Sequence, residues 1–89
     1  MKLIDGLIVT QVGDDYMVVP TGEATKKLSG IIRMNETASD IVTGIQNGLS
    51  EDEICAKLME KYEGVDSEKA HASVKSMLTK LKENDLLEA

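Results

Sequence analysis

The 89-residue chain contains no tryptophan, no phenylalanine and only two tyrosines, so its core must be aliphatic. Its single cysteine excludes an internal disulfide and is typical of a protein from a reducing cytosol. With one histidine besides, the chain lacks the His/Cys cluster that a structural metal site needs. We therefore expect no metal and no disulfide framework.

Long hydrophobic runs are also missing. No stretch approaches the roughly 20 apolar residues of a transmembrane helix. The opening MKLIDGLIV meets Asp5 and Gly6 too early for the apolar core of a signal peptide. The sequence thus predicts a cytoplasmic protein with no membrane partner, folded as a single domain over residues 1–89.

Basic residues are in the minority. The chain has 16 Asp and Glu against 10 Lys and Arg, which gives a formal charge of −6. Proteins that bind nucleic acids usually present a basic face to the phosphates. The balance of charge therefore predicts no nucleic-acid partner.

The first third of the chain reads as three short strands, at about residues 7–12, 16–20 and 30–34. The first two are rich in β-branched residues and flank a turn signal at Gly13-Asp14-Asp15, which predicts a hairpin. Pro20 has no N–H for a strand ladder and is expected to end its strand. The polar segment at 21–29 is predicted to be a loop.

The remainder shows helical periodicity, with helices expected at about residues 35–47, 50–62 and 66–84. Ser50 and Glu53 have the spacing of a capping box, and Leu49 and Ile54 that of a hydrophobic staple. Three small strands cannot bury their faces alone, so the helices must pack against them. The predicted fold is α+β and winged-helix-like: an N-terminal three-stranded antiparallel sheet followed by three helices.

No catalytic constellation is visible. His71 has no evident partner for a triad, and Cys55 lies among apolar residues, where a free cysteine usually packs as a small hydrophobe. The run Glu51-Asp52-Glu53 is explained by the preference for carboxylates at a helix N-terminus. The seven glycines are scattered and form no phosphate loop. We expect no enzyme, no catalytic residue and no cofactor.

One covalent-carrier hypothesis stays open as a lesser alternative. Asp66-Ser67 opens a helix, as does the serine of acyl carrier proteins that bears a phosphopantetheine arm. That family has a large apolar residue after the serine, whereas this chain has Glu68. Carrier proteins are also all-helical, and an ordinary N-cap explains the pair.

The order of motifs resembles the PqqD family of leader-peptide chaperones, also called RiPP recognition elements. The resemblance covers residues 7–87 and rests on four stretches. These are VVP at 18–20, RMNETASDIV at 33–42, NGLSEDEICAKLMEKYEGVDSEKA at 47–70, and an apolar last helix that ends in NDLL at 84–87. Val42 departs from the family, which often has a large aromatic there, and implies a smaller or differently filled pocket.

The resemblance implies a non-catalytic domain that binds the leader of a ribosomally synthesised precursor peptide and presents it to a modifying enzyme, often a radical SAM enzyme. The leader would add as a strand beside the third strand and the last helix. The implied peptide-binding residues are Leu28, Ser29, Gly30, Ile31, Ile32, Arg33, Val74, Met77, Leu78 and Leu81.

Strand alternation refines this set. We expect Ile32 and Met34 to face the core and Ile31 and Arg33 to be free for a peptide or solvent. Arg33, Lys75 and Lys82 would attract acidic leader residues, although a solvated charged face explains them equally well. Core packing is the more ordinary role for Leu78 and Leu81.

Two further possibilities remain at this stage. The helical pattern also fits a winged-helix DNA-binding or regulatory module, and the last helix carries Lys69, Lys75, Lys80 and Lys82. The acidic balance counts against it, since a recognition helix needs several basic residues. The exposed edge of the third strand would also allow a homodimer.

Overall fold

The computed structural model describes residues 2–88. Their order is β1 (Lys2–Leu3), β2 (Leu7–Val12), β3 (Asp15–Pro20), a 3-10 helix (Gly22–Lys26), β4 (Ile32–Met34), α1 (Glu36–Gln46), α2 (Glu51–Lys61), α3 (Ser67–Glu83) and β5 (Leu87–Glu88). The predicted three-stranded antiparallel sheet followed by three helices is confirmed.

A two-residue turn joins β2 to β3 and fixes the register of the main sheet. Val12 pairs with Asp15 across Gly13-Asp14, and Gly13 has a positive φ of 62°, as the first central residue of a type II′ turn requires. The sheet order is β2-β3-β4, with Val18 opposite both Val9 and Ile32. This row forms the centre of the face that the helices cover.

The third strand of this sheet is shorter than predicted, because it begins at Ile32 and not at residue 30. Continuing the β3–β4 register would place Gly30 opposite Pro20. Pro20 has no N–H to offer that pair, and Gly30 leaves the extended region with a φ of 116°. The proline that ends β3 therefore also sets the start of β4.

Two features were not predicted. The segment expected to be a loop contains the 3-10 helix, whose Ala24 is buried. The two ends of the described chain also pair as a small antiparallel sheet of β1 and β5, with Leu3 opposite Leu87. Asp85 makes the turn out of α3 with a φ of 57°, and the following residue, Leu86, is fully buried.

The helices cover one face of the main sheet. α1 contacts β2 and β3, whereas α3 packs mainly against α1 and α2. The core between these layers is aliphatic, as the lack of aromatics predicts. Its largest fully buried side chains are Ile41, Ile54, Leu58, Leu81, Leu86, Val18, Val42 and Val74. No helix within residues 2–88 is long and apolar enough to cross a membrane.

The start of α2 has the predicted capping box. The Glu53 N–H donates to Ser50 Oγ at 3.1 Å, and the Ser50 N–H donates to Glu53 Oε1 at 2.9 Å. Both of these bonds lie within the first turn of α2, so the contribution of Ser50 to stability is local to that helix. The ion-dipole interaction of Glu51 and Asp52 with the helix N-terminus adds to it.

We expect Ser50→Ala to lower the free energy of unfolding by about 1 kcal/mol, because one N–H at the helix start loses its acceptor. Urea denaturation followed by circular dichroism measures this loss. Ser50→Asp keeps an acceptor at the cap and should retain most of the stability. Equal losses of stability in both variants would show that the side-chain acceptor at the cap contributes little to the free energy of unfolding.

Candidate functional site

A groove of about 560 Å³ separates the end of β4 and the start of α1 from α3. On the helix side it is bounded by α3, which packs mainly on the other two helices. Its floor is apolar and its walls carry small polar side chains. Among the described residues, the one charged side chain that lines it is Lys80. The lining residues are Met34, Asn35, Thr37, Ala38, Ile41, Ala72, Ser73, Ser76, Met77 and Lys80.

The free edge of β4 borders this groove. In an antiparallel pair, successive residues of a strand direct their backbone N–H and C=O groups alternately to the two sides. Val12 and Asp15 flank the tight turn and are hydrogen-bonded to each other. The backbone N–H and C=O groups of Asp15 and Met17 therefore point to β2. The backbone N–H and C=O of Val18 then point to β4, where Val18 pairs with Ile32. It follows that the N–H and C=O of Arg33 point to the open edge.

Side-chain burial along this strand follows the expected alternation. Ile32 is 9% exposed and Met34 is half-buried, whereas Ile31 is 50% exposed and Arg33 is exposed. The prediction that Ile32 and Met34 face the core is therefore confirmed. Ile31 and Arg33 lie on the opposite face of the sheet, which none of the helices within residues 2–88 covers.

The remaining strand-side residues of the predicted site have different surroundings. Leu28 is buried in the core, and its N–H donates to the Ala24 carbonyl at the end of the 3-10 helix. Ser29 and Gly30 are exposed and precede β4. Leu28 is therefore not part of an extended strand, and Ser29 and Gly30 form the approach to one.

On the helix side, one of the four predicted residues reaches the groove. Met77 lines it. Val74 and Leu81 are fully buried in the core, and Leu78 packs against the core from a half-buried position. The face of α3 that borders the groove therefore carries Ser73, Ser76 and Lys80, beside the buried stripe of the helix. A peptide-binding role for the residues of the predicted set stays a prediction.

The sequence reasoning missed the small residues of the groove, among them Ala38, Ala72, Ser73 and Ser76. A signal for them was present on α3, since residues 73, 76, 77 and 80 share one helical face. Val42, for which the resemblance implied a smaller or differently filled pocket, is fully buried. It does not line the groove, so its small size affects the core and not this wall.

A polar network fixes the start of α1, which supplies part of the groove floor. Lys61 Nζ lies 3.0 Å from Asp40 Oδ2 and 3.4 Å from Glu36 Oε2. The Tyr62 hydroxyl donates to Asp40 and lies 2.9 Å from Glu36 Oε2. The end of α2 is thereby tied to the first turns of α1.

The pKa values of the network reflect this arrangement. The hydrogen bond to Asp40 raises the pKa of Lys61, and burial, together with the neighbouring carboxylates, raises that of the Tyr62 phenol. Both groups therefore keep their protons at neutral pH, and the two carboxylates have a permanent cation and donor. The network is a structural tie.

We expect Tyr62→Phe to lower the free energy of unfolding by about 1 kcal/mol. Hydrogen bonds to charged groups contribute about 1.5–3 kcal/mol, and solvent access to this half-buried pair reduces the value. Chemical denaturation measures it. Tyr16→Phe is the matched control, because the Tyr16 hydroxyl lies 3.5 Å from Glu36 and should contribute little. A larger loss at Tyr16 would contradict this view of the network.

The other polar candidates are separate from the groove. Cys55 is a free, buried thiol, and burial raises its pKa, which keeps it protonated and unreactive. The imidazole of His71 contacts Ser67 and Asp52, and its Nδ1 lies 2.7 Å from the Ser67 carbonyl oxygen. The Ser67 contact raises the pKa of His71. Neither Cys55 nor His71 lines the groove.

Comparisons with known proteins identify the family of this chain. The family model described as "Coenzyme PQQ synthesis protein D (PqqD)" matches residues 17–87. No curated protein matches the chain in sequence.

Two solved structures share the fold. One is described as "TbiB1 in Complex with the TbiA(beta) Leader Peptide"; it is 20% identical, with a TM-score of 0.76 over 100% of this chain and 96% of that one. The other is described as "Lasso peptide synthetase B1 complexed with the leader peptide"; it is 23% identical, with a TM-score of 0.75 over 99% of this chain and 96% of that one.

Proposed function

Because this chain belongs to the PqqD family, we propose that it is a non-catalytic domain that binds the leader of a ribosomally synthesised precursor peptide and presents it to a modifying enzyme. The observation that carries the proposal is the open edge of β4 beside an apolar groove. Both structures that share the fold contain a leader peptide, which supports the same function here.

The binding mode follows from the backbone. An extended peptide that adds to β4 pairs with the N–H and C=O of Arg33, which gives affinity without regard to sequence. Its alternate side chains then point into the groove, where Met34, Ile41 and Met77 supply apolar contact. The leader thus becomes the fourth strand of the sheet, between β4 and α3.

The proposed partners are accordingly the leader peptide and the enzyme that modifies the attached core peptide. The domain itself would act by raising the local concentration of the precursor at that enzyme. Since strand addition immobilises only the leader, the core peptide would stay accessible. The calorimetric titration of the domain with the leader of the precursor peptide encoded nearest to it tests this function. We expect saturable one-to-one binding, and no heat of binding would contradict the proposal.

We expect Ser76→Trp to weaken leader binding at least tenfold, because the indole would occupy the groove from an exposed position of α3. The same titration measures the affinity. Lys75→Trp is the control, since Lys75 is also exposed on α3 but does not line the groove. Its affinity should stay within about twofold of the unmodified protein.

Both positions are exposed, so surface substitution should change stability by no more than about 0.5 kcal/mol, and thermal unfolding verifies that both variants fold. Unchanged affinity of Ser76→Trp would place the peptide elsewhere on the domain. Equal weakening by both variants would point to a general effect on α3.

A further inference from the structure

We propose that Arg33 selects an acidic residue in the bound leader, at the position directly opposite it in the added strand, and that the residues on either side of this acidic residue are apolar. This inference rests on the proposed function, because it specifies which leader sequences the same edge and groove accept. It follows from the register of the sheet and from the distribution of charge around β4.

The register determines which leader residue meets Arg33. Because the backbone groups of Arg33 point to the open edge, its partner in an added antiparallel strand forms a hydrogen-bonded pair with it. Side chains of directly paired residues lie on the same face of a sheet, about 5 Å apart at Cβ. The partner's side chain therefore lies beside the Arg33 guanidinium, on the face that the helices leave open.

That guanidinium is available. Arg33 is exposed, and among residues 2–88 no carboxylate lies within the 4.0 Å of an ion pair with it. Its neighbour across β3 is Met17, which is half-buried and uncharged. This cation at a free strand edge favours a carboxylate opposite it and disfavours a lysine or arginine.

The residues before and after the paired one point the other way, into the groove. There they meet Met34, Ile41 and Met77, and Ala38 leaves room for their side chains. A charge placed on this floor would lose its hydration. Lys80, the single charged lining residue, would also repel a basic side chain. The pattern that the site accepts is thus apolar, acidic, apolar.

A charge-swap experiment tests this pattern. The probe is the leader of the precursor peptide encoded nearest to this chain, prepared as a set of peptides in which each position in turn is Glu, Gln or Lys. For the unmodified protein we expect one position where Lys binds roughly twofold to thirtyfold more weakly than Glu, because a favourable cross-strand charge pair is replaced by an unfavourable one. Arg33→Glu should reverse this preference at that position, and Arg33→Gln should abolish it.

Lys57→Glu is the matched control. It makes the same change of two charges at an exposed position of α2 that does not line the groove. It should change the affinity for all peptides by the same factor. The preference for Glu over Lys at the selected position should stay unchanged. Thermal unfolding of each variant verifies that it folds.

The outcomes separate the two proposals. Binding of the leader set by the unmodified protein without any position that prefers Glu over Lys would overturn the role of Arg33 and leave the proposed function intact. A reversal of preference in Lys57→Glu as well would overturn it too. No binding of any peptide by the unmodified protein would overturn the proposed function itself.

Discussion

The tight turn at Gly13-Asp14 is the constraint on which the rest of the structure depends. Because side chains and backbone groups both alternate along a strand, the pairing of Val12 with Asp15 determines the orientation of every later residue in the sheet. Together with the pairing of β4 to β3, it places Ile32 in the core and turns the backbone of Arg33 to the open edge. A slip of one residue would turn the backbone groups of Ile32 and Met34, and not those of Arg33, to the open edge.

The two edges of the sheet are treated differently. On β2, Gln46 Nε2 of α1 donates to the Leu7 carbonyl at 2.8 Å, so a helix side chain satisfies part of that edge. On β4, the strand is only three residues long and borders a groove. Short edge strands limit uncontrolled pairing between copies of a protein. The fold thus covers part of one edge and leaves a short one open, where we propose that the leader adds.

Sequence reasoning predicted the elements whose signals are local: the hairpin, the capping box at Ser50 and the periodic stripes of the helices. It also predicted the alternation of Ile32 and Arg33. It missed the pairing of β1 with β5, because the two-residue strands at Lys2–Leu3 and Leu87–Glu88 carry no pattern of their own. It did not identify the small residues that line the groove on α3, because the rotation of a helix depends on tertiary packing against its neighbours.

The central claim is that the Arg33 amide is the free donor to which the leader adds. Hydrogen exchange resolved by residue tests it directly, with and without a saturating amount of the leader peptide. In the free protein, we predict slow exchange at Ile32 and Met34, which bond to β3, and fast exchange at Arg33; leader binding should slow Arg33 at least tenfold. An Arg33 amide that is already protected in the free protein, or whose exchange is unchanged by a bound leader, would contradict the account.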